Sequence, residues 1–230
     1  MSRQKAFGQG DPDLAVYAEQ LFEPVDEVLA HFRERSRTAG LPEIQVGPMD
    51  GRHLEILSRM IRPQRAVEIG TLGGYSGLCI ARGMPASGVL HSFEKNELHA
   101  RVAEENLEFA RKAGHLPADF KFKIQVGSAL ENLAKIEGDG PFDLVFIDAD
   151  KPSYPAYLEW SVNNLRVGGA VIGDNTFAWG EVHRSHEKSG NDLKQVGSLH
   201  EFNVRVAHHP RLRATIFPTA EGLTVGVKLF

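Results

Sequence analysis

A run of apolar, largely β-branched residues, Ala66-Val67-Glu68-Ile69, is followed by Gly70-Thr71-Leu72-Gly73-Gly74 and then by a helical pattern through Tyr75, Leu78, Ile80 and Ala81. A buried strand that feeds a helix through glycines leaves bare backbone at the strand's carboxyl end, where a ligand can lie. Two familiar uses of such a turn do not match the glycine order. A dinucleotide fingerprint needs G-x-G-x-x-G, and counting from Gly70 its later glycines fall on Leu72 and Tyr75. A phosphate loop needs Lys followed by Ser or Thr after its last glycine, and neither is present. What remains is an acid-containing turn, E-x-G-x-x-G-G-Y-S. Glu68 is expected to point its carboxylate toward the ligand, which suits a cationic group better than a pyrophosphate. A purely structural strand-to-helix turn stays open as the alternative.

The rest of the chain alternates in kind. Strands expected over 89–93, 120–126, 143–147 and 170–172 are interleaved with helices over 96–112, 128–136 and 154–165. Such alternation implies a parallel sheet covered by helices on both faces. Upstream, helical spacing begins at Pro12, through Leu14, Tyr17, Ala18, Leu21, Val25, Val28, Leu29 and Phe32, with Pro24 ending or kinking it. This segment either covers the ligand site or forms a subunit contact. A further helix starts at Gly47-Pro48-Met49-Asp50, with Leu54, Leu57, Met60 and Ile61 as its buried stripe and Pro63 as its end. The tail differs: a polar loop over 181–195, a helix near 199–207, then strands over 213–217 and 223–229. The linker between those strands is too short for a parallel crossover, so the sheet should finish with an antiparallel pair. Leu223, Val225, Val227 and Leu229 are expected to share one face of the last strand.

Bulk properties set limits on function. The chain has 230 residues, enough for one large α/β domain or two small ones, and 42% of them are hydrophobic. A formal charge of −4 without a long basic block argues against a nucleic-acid footprint. The single cysteine, Cys79, excludes an intrachain disulfide and lies in an apolar helix, where it reads as a packing residue. Residues 1–11 are polar and expected to be poorly ordered. The N-terminus lacks the apolar region of a signal peptide, and no segment approaches the roughly 20 apolar residues of a membrane span. A cytoplasmic, soluble protein with one domain over 1–230, residues 1–45 being a helical extension, is the expectation.

In an open α/β sheet ligands bind outside the carboxyl ends of the strands, which gathers the chemistry-bearing residues into one place. The second strand ends at Glu94, an acid able to accept hydrogen bonds from two ribose hydroxyls; alternatively its carboxylate favours the start of the next helix. The third ends at the small residues Gly127-Ser128-Ala129. The fourth ends at Asp148-Ala149-Asp150-Lys151 and the fifth at Asp174-Asn175. Carboxylates and a carboxamide oxygen with no thiolate nearby suit a hard cation such as Mg²⁺. Lys151 is either a solvated surface lysine or, beside a cation that disfavours its ammonium, a base next to an acidified hydroxyl.

Three segments carry a family resemblance: residues 66–76 around the glycine turn, residues 142–151 through Asp148-Ala149-Asp150-Lys151, and residues 168–175 through Asp174-Asn175. Together they resemble the cation-dependent O-methyltransferases, which include the catechol and caffeoyl-coenzyme A enzymes, and the likeness runs from about Ile44 to the C-terminus. It implies a Rossmann-like class I methyltransferase fold, a mostly parallel seven-stranded sheet with a C-terminal antiparallel hairpin. It implies S-adenosylmethionine held by Val46, Glu68, Gly70, Thr71, Ser76, Glu94, Ala129 and Asp150. It further implies Mg²⁺ or another divalent cation on Asp148, Asp174 and Asn175, Lys151 as catalytic base, and a homodimer. The implied acceptor is a small aromatic with vicinal hydroxyls. Tyr154 matches a tyrosine that commonly follows the lysine, with no role attached.

One departure concerns the acceptor. Many relatives have an aliphatic residue and then Trp after the Asp-Asn pair, whereas this chain reads Thr176-Phe177-Ala178-Trp179-Gly180. The tryptophan is displaced, so the acceptor is expected to differ from the plant coenzyme A esters. His183, His186, His208 and His209 lack the further ligands of a zinc site and read as surface residues. A nicotinamide-dependent oxidoreductase and a cofactor-binding protein without turnover are the competing readings. The broken glycine order speaks against the first, and Lys151 with three cation ligands against the second.

Overall fold

The computed structural model describes residues 12–230; the expectation for residues 1–11 lies outside them. Seven strands form one sheet: β1 (Arg65–Ile69), β2 (Val89–Glu94), β3 (Lys121–Val126), β4 (Phe142–Ile147), β5 (Leu165–Gly173), β6 (Leu212–Phe217) and β7 (Leu223–Lys228). Their order is β3-β2-β1-β4-β5-β7-β6. The first five pair in parallel, and β7 runs antiparallel to both β5 and β6. The sequence of connections reverses direction between β1 and β4, which is where doubly wound sheets open a crevice for ligands.

Helices cover both faces. On one side lie α2 (Glu27–Thr38), α3 (Pro48–Ile61), α4 (Tyr75–Ala81) and α5 (Glu97–Lys112). Their Phe32, Leu54, Leu78, Ile80 and Leu107 pack with Leu90, Leu144, Phe146 and Ile172 of the sheet. On the other lie α6 (Ala129–Leu133), α7 (Tyr154–Asn164) and α8 (Gly190–His208). There Leu133, Tyr157, Leu158, Leu199 and Phe202 pack with Val67, Ile69, Phe93, Val145 and Ile147. Strand β4 therefore buries every residue, its apolar side chains alternating between two cores, which is why its sequence is apolar apart from Asp143. Each such side chain contributes about 1.5–3 kcal/mol by leaving water. At the amino end of the sheet, Asp143 accepts from the backbone N–H groups of Gln64 and Arg65, both at 2.8 Å, and from Arg166 Nε at 2.5 Å. That carboxylate ties β1, β4 and β5 together, away from the ligand edge.

Several local expectations need correction. The N-terminal helical pattern does break around Pro24 as expected, and the break leaves two helices, α1 (Pro12–Phe22) and α2. Asp26 caps α2 by accepting from the N–H groups of Val28 and Leu29. Val28, Leu29 and Phe32 are buried, but Leu14, Tyr17 and Leu21 on α1 are exposed. Met60 is 76% exposed instead of buried, because α3 turns a different stripe inward: Gly51, Leu54, Glu55 and Ser58. Small residues allow that approach. Ser58 Oγ donates to Ile80 O at 2.6 Å, and a Cβ at Gly51 would stand 2.9 Å from Tyr75 Cε1.

The helix expected over 128–136 divides into α6 and a 3₁₀ turn, Ala134–Asp139. Strand β5 starts earlier than expected, at Leu165. Helix α8 begins at Gly190, inside the segment expected to be a polar loop, because burial of Val196, Leu199, Phe202 and Val206 supports a long polar helix whose own pattern is weak. In β7 the expected alternation fails: Val227 and Leu229 are exposed, whereas Thr224 and Gly226 are buried beside Leu223 and Val225. Position explains it, since β7 lies inside the sheet between β5 and β6 and its first half is covered on both faces. Among the described residues, no helix is long and apolar enough to cross a membrane.

Candidate active site

Backbone hydrogen bonds carry the sheet ladder one step past the strand ends and set those ends level. Gly127 N donates to Glu94 O at 2.9 Å, Gly70 N to Phe93 O at 2.9 Å, Asp148 N to Ile69 O at 2.8 Å and Asp174 N to Ile147 O at 3.0 Å. Residues far apart in the chain thus form one edge: Gly127, Glu94, Gly70, Asp148, Asp174. Gly70 has φ 91°, and a side chain there would overlap the Asp148 carbonyl. Only glycine lets the β1 turn pass that close to β4.

The turn is built around a buried acid. Glu68 is 0% exposed and accepts from Ser76 Oγ and from Ser92 Oγ, each at 2.6 Å. Burial pushes its pKa up, and the two serine hydroxyls oppose that shift. Its carboxylate therefore lies beneath the turn, with both oxygens engaged by serine hydroxyls. Ser76 and Ser92 were brought to it by different means: Ser76 is the second residue of α4, while Ser92 pairs with Glu68 through the β1–β2 register. Only the first is visible as spacing in the chain.

Glu94 bridges the turn and the following helix. Its Oε2 accepts from Leu72 N and its Oε1 from Asn96 N, both at 2.9 Å. A carboxylate has about four lone-pair directions, so acceptor capacity is left for a ligand on the outer side. Thr71 is buried in the turn, Val46 is buried in the loop before α3, and Ala129 opens α6 after Gly127. Asp150 stands slightly apart: its Oδ1 accepts from Tyr157 OH at 2.7 Å and its Oδ2 from Ser153 Oγ. Those bonds tie it to the start of α7. Cys79 is fully buried in α4 and its thiol pKa is raised by burial, as suits a packing residue.

Beyond β4 and β5 the side chains converge. Lys151 Nζ donates to Asp148 Oδ1 at 2.9 Å, to Asn175 Oδ1 at 2.5 Å and to Tyr154 OH at 3.0 Å. The Tyr154 hydroxyl in turn lies 3.1 Å from both Ile147 O and Asp174 O, donating to these strand-end carbonyls. Tyr154 is fully buried, and burial followed by the Asp148 and Asp174 charges holds its phenol pKa well above the ordinary value. Asp174 is 2% exposed, and burial together with the neighbouring Asp148 charge pushes its carboxyl pKa well up. Asn175 adopts φ 55°, its N–H donates to Asp174 Oδ1 at 2.7 Å, and its Nδ2 donates to Glu221 Oε2 at 2.5 Å. One carboxylate, Asp148, and the Asn175 carboxamide oxygen meet on Lys151 Nζ, and a second carboxylate, Asp174, is bonded to the Asn175 N–H beside them, a donor set that fits a hard divalent cation.

Trp179 lies on the loop after Asn175, 55% exposed, with φ positive at Ala178, Trp179 and Gly180 in succession. His183, His186 and His208 are exposed, and His209 is half-buried. Sequence reasoning missed three contributors to this edge: Ser92, the hydroxyl of Tyr154 and Glu221. Ser92 and Glu221 act through contacts that strand register and the closing hairpin create, so no local pattern announces them; Tyr154 meets Lys151 three residues away, and only its bonds to Ile147 O and Asp174 O depend on the fold.

A doubly wound sheet with a glycine turn at its switch point, and acids, an amide and a lysine beside it, defines an α/β protein that handles small molecules at the β1–β4–β5 edge. Residues 19–229 match the O-methyltransferase family, and the chain belongs to it. Over 208 residues it is 34% identical to a catechol O-methyltransferase of Mycobacterium tuberculosis, covering 90% of this chain and 89% of that one. It is 32% identical over 214 residues to a catechol O-methyltransferase of Niastella koreensis, covering 92% and 90%. An O-methyltransferase from Bacillus cereus, solved in complex with SAH, superposes with a TM-score of 0.83 at 33% identity and covers 94% of this chain and 97% of that one. The expected Rossmann-like methyltransferase fold is therefore the fold observed, and the nicotinamide-dependent reading is not favoured.

Proposed function

We propose that this protein transfers a methyl group from S-adenosylmethionine to one hydroxyl of a small aromatic with vicinal hydroxyls, assisted by a divalent cation. The observation that carries the reading is the convergence of Asp148, Asn175 and Lys151 on one point, level with and next to the glycine turn of β1. The catechol O-methyltransferases among its relatives support the acceptor class, and the SAH-bound relative supports the cofactor.

In this reading Val46, Glu68, Gly70, Thr71, Ser76, Glu94, Ala129 and Asp150 form the donor side. S-adenosylmethionine supplies an electrophilic methyl group on sulfur. Glu94 accepts from ribose hydroxyls, and the Gly70 backbone permits close approach, while Glu68 reaches the ligand side through Ser76 and the turn it braces. Asp148, Asp174 and Asn175 would hold the cation, which would supply Lewis-acid polarisation that eases loss of a hydroxyl proton. Lys151 Nζ, acting as the neutral amine, takes the acceptor's hydroxyl proton, the freed oxygen forms its bond to the methyl carbon, and the carbon–sulfur bond breaks with its electron pair left on sulfur. The chain's share of the rate is positioning and charge stabilisation.

The exposed apolar residues of α1, namely Leu14, Val16, Tyr17, Leu21 and Phe22, support a subunit contact there and hence a homodimer. A radiolabelled methyl-transfer assay on a panel of catechols, with excess Mg²⁺ and with EDTA, tests the central claim. Transfer that depends on S-adenosylmethionine and stops with EDTA is expected. Transfer indifferent to EDTA removes the cation from the mechanism, and no transfer in excess Mg²⁺ removes the catechol class tested.

A further inference from the structure

Asn175 poses a chemical problem for a cation site. A carboxamide has an acceptor end and a donor end of nearly equal shape, and only the oxygen can ligate a cation. Something must decide which end faces Asp148 and Lys151. The structure supplies a candidate 46 residues away, in the turn between β6 and β7: Asn175 Nδ2 donates to Glu221 Oε2 at 2.5 Å, while Asn175 Oδ1 accepts from Lys151 Nζ at 2.5 Å. An ionised carboxylate only accepts, so it can bond only the NH₂ end. With Glu221 on one side, the oxygen is left facing the other.

We propose that Glu221 is a positioning residue that fixes the Asn175 carboxamide with its oxygen toward the cation site. The inference rests on Asn175 being a cation ligand. Both partners are held by backbone, so the contact is not a chance meeting of surface side chains. Phe177 N donates to Glu221 O at 2.9 Å, Thr176 N to Gly222 O at 3.0 Å, and Thr176 Oγ1 to Gly222 O at 2.9 Å. Gly222 has φ 76°, and a Cβ there would stand 2.6 Å from Phe177 Cγ, so only glycine lets the hairpin close on this loop. Asn175 is pinned from its own side by the bond from its N–H to Asp174 Oδ1. The final hairpin, remote in sequence, thus orients a ligand contributed by the end of β5. Outer partners of this kind commonly alter metal affinity about 10–100-fold when removed.

The test is direct binding of Mn²⁺ to the full-length protein saturated with S-adenosylmethionine, read from the electron paramagnetic resonance signal of the free ion. Glu221→Ala is expected to bind Mn²⁺ about tenfold or more weakly, with S-adenosylmethionine affinity unchanged as the check on folding. Glu221→Gln keeps an acceptor without the charge and should recover most of the loss. Adding Glu221→Ala to Asn175→Ala should weaken binding no further than Asn175→Ala alone. Parent-like binding by Glu221→Ala, with Asn175→Ala impaired, overturns the proposal. So does equal loss in the Ala and Gln variants, which assigns the effect to charge. If Asn175→Ala binds as the parent does, the ligand reading itself fails, an outcome distinct from the other two.

Discussion

At the scale of single residues, the site is defined less by which groups are present than by how each is engaged. Lys151 spends three hydrogen bonds on Asp148, Tyr154 and Asn175, and none of its partners belongs to the glycine turn. Removing the amine should therefore leave cofactor binding alone and strike turnover. Lys151→Ala is expected to bind S-adenosylmethionine within about twofold of the parent by calorimetry while methyl transfer falls about 100-fold or more, the range for loss of a general base. A near-full rate would refute the base assignment. The turn residues teach a related lesson. Glu68 was legible as an acid in a glycine turn, but its role as a buried brace under Ser76 and Ser92 was not, because Ser92 meets it only through strand pairing.

At the scale of elements, burial on both sides decides features that periodicity alone misjudges. Strand β7 was read as amphipathic and is interior; α3 was read with Met60 inward and instead turns Gly51 and Ser58 to α4. Strand β2 offers a measurable consequence. His91 is 2% exposed, edge-on to Phe142 at a ring-centroid distance of 6.0 Å, with Asp139 of the 3₁₀ turn 3.5 Å away and Lys123 on β3 nearby. Burial, then the Lys123 charge, lowers its pKa, and Asp139 opposes them. The unfolded chain then binds a proton that the folded one refuses. Stability should be fully present above the unfolded value of about 6.5 and should decline as pH falls from there toward the lowered folded value. His91→Gln should flatten that part of a urea-denaturation series taken between pH 5 and 7.5; an unchanged slope would exclude His91 as the group responsible.

At the scale of the whole molecule, the two helices before the sheet divide their work. Helix α2 packs Val28, Leu29 and Phe32 into the first core, and Ser36 lies directly against Gly73, supporting the glycine turn from outside. Helix α1 has its large apolar residues exposed, so it settles nothing within one chain. Sedimentation velocity should show a dimer at micromolar concentration, and deletion of residues 1–22 should shift it to monomer while S-adenosylmethionine binding persists. A deleted form that stays dimeric would move the contact elsewhere.

Strand and helix order, the glycine turn, the acids at strand ends and the family they indicate were all readable in the chain, because each depends on neighbours in sequence or on a rule about strand ends. The level edge that brings Glu94, Gly70, Asp148 and Asp174 side by side is a product of register, and register is settled by packing over the entire sheet. The insertion of β7 between β5 and β6 is likewise a decision of the assembled core. It is that insertion which carries Glu221 to Asn175, a contact between residues 46 positions apart that no local pattern could announce.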